Sequence, residues 1–284
     1  MTRIDRRALF ASGSAAALLA AVGVSAQAAP VRGGHLRAAL SGGDRSESWL
    51  DLPGGRFLQA ARHAVFETVT EIAPDGTLQP GLATQWSSED AGRIWHFDIA
   101  SGVSFHNGTQ LSPRDVVTSL QRAGFLAFAD GHRVTIELAT ADEALPFKLA
   151  RGGIMVFSAD QLERGEALTN GTGLYRLGRF DAGRSFLANR VDVHRKDGNA
   201  GWFETVEFVA ISDPHVRAEA VGEGYVDVAD LDDAYDLSGR SDIQLVQDGP
   251  QVTGAMRKTV ASNTRVGPAP LDDMRFAERW WMAG

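Results

Sequence analysis

Strand-like and helix-like patterns alternate along this chain from His35 onward, and that alternation limits the fold more than any other feature. Strict two-residue alternation of apolar and polar side chains marks strands over His132–Ala139 ("HRVTIELA") and Phe203–Ile211 ("FETVEFVAI"). His35–Leu40, Arg93–Ile99, Val226–Ala229 and Ile243–Val246 read as further strands. Leu174–Phe180 and Ser185–Asn189 read as a hairpin around Asp181-Ala182-Gly183. Helical spacing places Leu58, Ala61, Val65 and Val69 on one face of a helix expected over Phe57–Thr70. Pro214–Glu223 reads as a second helix and Asp272–Trp281 as a terminal one. Strands and helices mixed without strict βαβ regularity predict an α/β or α+β fold.

The chain has no cysteine, so a hydrophobic core, which 284 residues can supply, must hold it together. The amino-terminal segment has the pattern of an export signal. Arg6-Arg7 precede an Ala-rich apolar run to Val24, and Ala26-Gln27-Ala28 is an A-x-A exit. The expectation is a twin-arginine signal over residues 1–28, cut between Ala28 and Ala29, and a periplasmic mature chain. A formal net charge of −8 without a basic run argues against a nucleic-acid partner.

The stretch "GVSFHNGTQLSPRDVVTSL" (102–120) concentrates the residues that look most chemical. Asn107-Gly108 is a turn pair. Ser112, Pro113 and Asp115 form a capping-box helix start, with Val116, Val117 and Leu120 on its buried face. That leaves His106. The seven histidines (35, 63, 96, 106, 132, 194 and 215) are scattered singly, so no metal or catalytic cluster is expected, and His106 reads as structural. "GTGLYRLG" (171–178) lacks the Lys-Ser/Thr of a phosphate loop. "DVADLDDAYD" (227–236) lacks the glycine and terminal Glu of a calcium loop and reads as a strand end and solvated turn. No nucleophile elbow and no H-E-x-x-H occurs, so the chain is not expected to be an enzyme, and no cofactor is implied.

Four stretches together resemble the family 5 solute-binding proteins of ABC importers, the group of dipeptide-, oligopeptide- and nickel-binding proteins. "GGHLRAAL" (33–40) is similar to the family's first mature strand. Residues 65–120 resemble its most recognisable block, which ends in a Phe-His-x-Gly-Thr turn into a helix. "NGTGLYRLGRF" (170–180) resembles its Gly-Thr-Gly-Pro-Tyr strand entry, with Leu174 where proline is usual. Residues 206–231 resemble its strand, helix and Gly-x-x-Asp strand. Ala100 departs from the family's usual Arg or Lys, and the connection from Leu120 to His132 is short.

The resemblance implies a periplasmic-binding-protein fold of type II, cluster C. Its first lobe would take residues 29–75 and 151–265, with a small accessory domain over 76–150. Residues 266–284 would begin a second lobe that is missing. The implied function is to bind a peptide or similar small solute between two hinged lobes and present it to the membrane permease subunits of the importer. The alternative is a shortened accessory or relic lobe with no solute binding of its own. By resemblance, the segment after the first strand lines the cleft, which singles out Gly54, Arg56 and Phe57, with Gly173 and Tyr175 near the same edge. Arg56 would pair an anionic group and Phe57 would pack an apolar one, while core packing is the competing reading of Tyr175. Trp280 and Trp281 would face the missing lobe and are expected to promote self-association.

Overall fold

A computed structural model describes residues 32–50, 54–73, 76–151, 153–248 and 251–258. The signal residues Arg6, Arg7, Ala28 and Ala29, the terminal helix over Asp272–Trp281, and Trp280 and Trp281 themselves lie outside them.

In chain order the elements are β1 (His35–Leu40), α1 (Arg56–Val65), β2 (Glu67–Thr68), β3 (Thr70–Ile72), β4 (Leu78–Pro80), β5 (Ala83–Glu89), β6 (Ile94–Ile99) and α2 (Pro113–Arg122). They continue with β7 (Leu126–Asp130), β8 (Arg133–Glu137), α3 (Leu145–Arg151), β9 (Met155–Val156), α4 (Ala159–Arg164), β10 (Tyr175–Asp181), β11 (Ser185–Arg190) and β12 (Thr205–Ala210). The last are α5 (Pro214–Glu223), β13 (Val228–Asp230), β14 (Ile243–Asp248) and β15 (Gln251–Arg257).

Two main sheets result. The larger has seven strands in the order β10-β11-β12-β1-β13-β15-β14, and the smaller has four in the order β5-β6-β8-β7. At the centre of the large sheet, β1 runs parallel to both β12 and β13. Alternation along β1 then sorts its side chains between two layers. Leu36, Ala38 and Leu40 enter the core under α1, with Phe57, Ala61, Phe186 and Phe208. Ala39 enters the core under α5, with Ala218, Val221 and Ala229. The smaller sheet buries Phe97, Val134 and Ile136 against Val116 and Leu120 of α2.

The helix expected over Phe57–Thr70 ends at Val65. Phe66 is extended, and its ring lies edge-on to Phe157 at 4.7 Å. Glu67–Thr68 pairs with Met155–Val156 instead, and Val69 belongs to the core of the small sheet. The chain leaves one core for the other here, and strand pairing overrides a helical spacing that ends in the β-branched run Thr68-Val69-Thr70.

Candidate functional site at the carboxyl edge of the central strands

Because β1, β12 and β13 are parallel, their carboxyl ends lie side by side. The connection leaving β1 leads into α1 on one face, and that leaving β12 leads into α5 on the other. Diverging loops open a crevice at such a point, where open α/β sheets bind ligands.

Four side chains define this edge. Asp230, the last residue of β13, is 3% exposed. Its Oδ1 accepts from the Ser41 backbone N–H at 2.8 Å, and its Oδ2 accepts from the Ser41 hydroxyl at 2.5 Å. The buried Arg217 guanidinium lies against Oδ1, with Nε at 3.2 Å. Arg217 also donates to the backbone carbonyls of Asp230 (2.8 Å), Ile211 (2.7 Å) and Ser212 (2.9 Å), tying the ends of β12 and β13 together. Arg56, the first residue of α1, brings its Nε to 3.6 Å from Asp230 Oδ2, with its side chain 34% exposed. One buried carboxylate therefore faces two guanidiniums, and the more exposed one, Arg56, is turned toward solvent. Such an edge favours an anionic group.

Local chain geometry fixes Arg56 there. The Phe57 N–H donates to Ser41 O at 3.0 Å, which ties the start of α1 to the end of β1. Gly55 and Gly42 touch through their backbones, and a Cβ on Gly55 would lie 1.9 Å from Gly42 O. Gly54 has φ +71°, and its carbonyl accepts from Gln59 Nε2 at 3.0 Å.

Of the residues singled out in the sequence, Gly54 and Arg56 come together at this edge. Phe57 follows them in α1 but points inward, fully buried and stacked on Phe180 at 6.1 Å. Tyr175 lies at the opposite edge, contrary to the expected position near the cleft. Sheet register aligns it with Arg190, and the neighbouring rungs run through Asn189 and Thr205 to His35, at the beginning of β1. That is about 20 Å along the strands from Ser41. Its hydroxyl donates to Phe203 O at 3.1 Å within the core. Ser41, Asp230 and Arg217 carry no motif and were not singled out. Asp230 sits inside the acid-rich 227–236 stretch, where it is the one acid that ends a buried strand.

Residues 77–125 match the family model described as "Bacterial extracellular solute-binding proteins, family 5 Middle". A "Probable di/tripeptide-binding protein 5" of Pseudomonas aeruginosa (strain UCBPP-PA14) is 28% identical over 251 residues, 72% of this chain and 46% of that protein. Among solved structures, the PBP AgaA from A. tumefaciens R10 in complex with agropinic acid superposes with a TM-score of 0.65 at 22% identity, covering 75% of this chain and 48% of that one. The DppA periplasmic binding protein from Helicobacter pylori in complex with peptide STSA gives 0.65 at 16%, covering 76% and 51%. The chain is similar to the family 5 solute-binding proteins. Its fold is theirs, and it spans less than half the length of the curated relatives it matches.

The family 5 segment includes the conspicuous His106 turn, which lies at a joint between the two sheets. His106 Nε2–H donates to Gly173 O at 2.8 Å, and its backbone N–H donates to Gly171 O at 2.9 Å. The Asn107 N–H reaches Asn170 Oδ1 at 2.9 Å, and Arg176 Nη2 reaches His106 O at 2.6 Å. Gly171 and Gly173 in turn press on the end of α1, and a Cβ on Gly171 would lie 1.9 Å from Val65 O. The Gly-Thr-Gly run is a backbone-to-backbone contact. Burial, chiefly, pushes the His106 pKa down, so the ring is neutral at ordinary pH.

Beneath the same joint, Glu67 is fully buried. Arg195 Nη2 lies 2.5 Å and Lys196 Nζ 3.0 Å from its Oε1, and Lys196 also pairs with Glu71. Burial alone would raise the Glu67 pKa. The Lys196 ammonium, the nearby His194 ring and the Arg195 charge outweigh burial and hold the carboxyl well below its usual range. His194 Nε2–H donates to Thr172 O at 2.9 Å, joining the ion cluster to the Gly-Thr-Gly run.

Proposed function

We propose that this chain is the solute-binding component of a peptide-type ABC importer, a binding protein and not an enzyme. The twin-arginine signal over residues 1–28 would export it to the periplasm, with Ala28 and Ala29 flanking the cut. Residues 29–75 and 151–265 would form the lobe, and 76–150 the accessory domain. The observation that carries this reading is the Ser41–Arg56–Asp230–Arg217 cluster, set where a switch point of the sheet opens a crevice. Arg56 would hold the carboxylate of a peptide or of a similar small anionic solute. Gly54 would let the solute backbone approach the start of α1. Phe57 would act from the core by stacking on Phe180 and holding α1 in place. The loaded form would then be presented to the permease subunits.

The test is native mass spectrometry of protein taken from a periplasmic extract, followed by titration calorimetry with di- and tripeptides. A co-purifying or titrating peptide whose affinity drops about tenfold or more in Arg56→Gln supports the reading, because a charge-assisted pair to a ligand carboxylate is lost. A ligand-free protein that takes up no peptide supports the accessory-lobe alternative.

A further inference from the structure

A cleft of about 330 Å³ opens between α1, α2 and β9, away from the carboxyl-edge crevice. Leu50, Ala123, Ile154, Met155 and Phe157 line it with apolar surface. Arg122, the last residue of α2, stands exposed at its mouth. Arg62 forms part of the wall, where its Nη2 donates to Gly153 O at 2.7 Å. The cleft lies toward the amino edge of the large sheet, because α1 starts beside Ser41 and runs back along β1, and Arg62 is in its last turn. Strand β15 ends at the same edge. There the Arg257 N–H donates to Asp227 O and the Asp227 N–H to Arg37 O, both at 2.9 Å.

Beyond β15 the sequence holds an aromatic motif that the solute-binding reading does not use, "LDDMRFAERWWM" (271–282). Phe276 and Trp280, four residues apart, share one face of the helix expected over Asp272–Trp281. We infer that this face docks on the cleft of its own chain, with the Trp280 indole in the cleft and its ring face against the Arg122 guanidinium. The walls are apolar, and a volume at the lower end of small-molecule pockets suits one large aromatic side chain. Among side chains, indole presents a large apolar area and the best ring face for a guanidinium. A helix anchored at positions i and i+4 is a general way to fill such a groove. Chain length permits the docking. Strand β15 lies three strands from β12, over which α1 packs, about 15 Å away. The segment from Lys258 to Phe276 can reach about 60 Å when extended. The partner of these indoles is then the chain's own surface, and the inference is independent of solute binding at Arg56.

The test is paramagnetic broadening in the intact protein. The chain has no cysteine, so Glu278→Cys, on the helix face opposite Trp280, gives a single site for a nitroxide label. The label should erase the amide NMR signals of Ala123, Ile154 and Phe157 while Asp230 and Tyr235 stay sharp. Trp280→Ala should restore those signals, and so should Ala123→Trp, which fills the cleft from a partly exposed position at the end of α2. Unchanged signals from β1 and β12 would show that both variants keep the fold. Mixing the labelled chain with an unlabelled, isotope-enriched one should leave the enriched chain's cleft signals sharp. The inference is overturned if the label leaves the cleft signals intact, if broadening survives either substitution, or if it appears in the mixed sample, which would assign the cleft to a second copy.

Discussion

The joint around His106 and the crevice around Arg56 are built from similar parts, yet they differ in what remains open. At the joint, backbone groups and ions are turned on one another: His106 to Gly173, Gly171 to His106, Glu67 to Arg195 and Lys196. The crevice also has a buried carboxylate, Asp230, but one of its cations, Arg56, remains about a third exposed. Residues that catch the eye in the sequence can therefore be ones that hold the two sheets together. The candidate edge instead keeps a charged group in reach of solvent.

This contrast can be broken first at Glu67. Glu67→Ala would remove the buried counter-charge of Arg195 and leave Lys196 with Glu71 alone, and about 3–5 kcal/mol of stability should be lost in chemical denaturation. A loss below about 1 kcal/mol would mean that the cluster does not hold the joint.

Gly171→Ala should cost about 1–3 kcal/mol, because the new methyl meets Val65 O and backbone must move. Hydrogen exchange should quicken at His106 and Gly173 while β1 and β12 stay protected.

Acid should weaken the joint in two stages. The folded pKa of His106 is depressed, so the unfolded chain takes up that proton first, and stability falls as pH drops below about 6.5. The folded pKa of Glu67 is also depressed, so its contribution is present above the unfolded value, near 4.5, and lost as pH falls below it. Thermal melts from pH 8 to pH 2.5 should show both stages, and His106→Asn should remove the first. A flat profile would contradict the neutral-histidine assignment.

The smallest effect on stability belongs to the crevice. Arg56→Gln should change it by less than about 1 kcal/mol, since its cation is a third exposed and Asp230 keeps Arg217 and Ser41 as partners. Its consequence should appear in solute binding.

Much of the fold was legible wherever local chemistry agreed with the tertiary context. The α5 boundaries follow from Asp213, which accepts the His215 N–H at 2.9 Å, from Pro214 at the first turn, and from Gly224 at φ +81°. The Ser112–Asp115 capping box is likewise where its spacing placed it. Strand β5 was not legible: it is an edge strand whose side chains are mostly exposed, so no alternation marks it. The crevice was legible only at Gly54 and Arg56, through family resemblance. Ser41 and Asp230 are 189 residues apart, and a pair brought together by parallel strands leaves no local pattern. The edge assigned to Tyr175 was wrong because strand direction is a property of the whole sheet, which its own segment does not carry.

The most direct measurement is an amide NMR map of the purified protein titrated with a mixture of di- and tripeptides. The account predicts shifts centred on Ser41, Arg56, Ser212 and Asp230, with His106, Gly173 and His194 unmoved. Shifts centred on His106, Gly173 and His194, with the Arg56 edge silent, would contradict it.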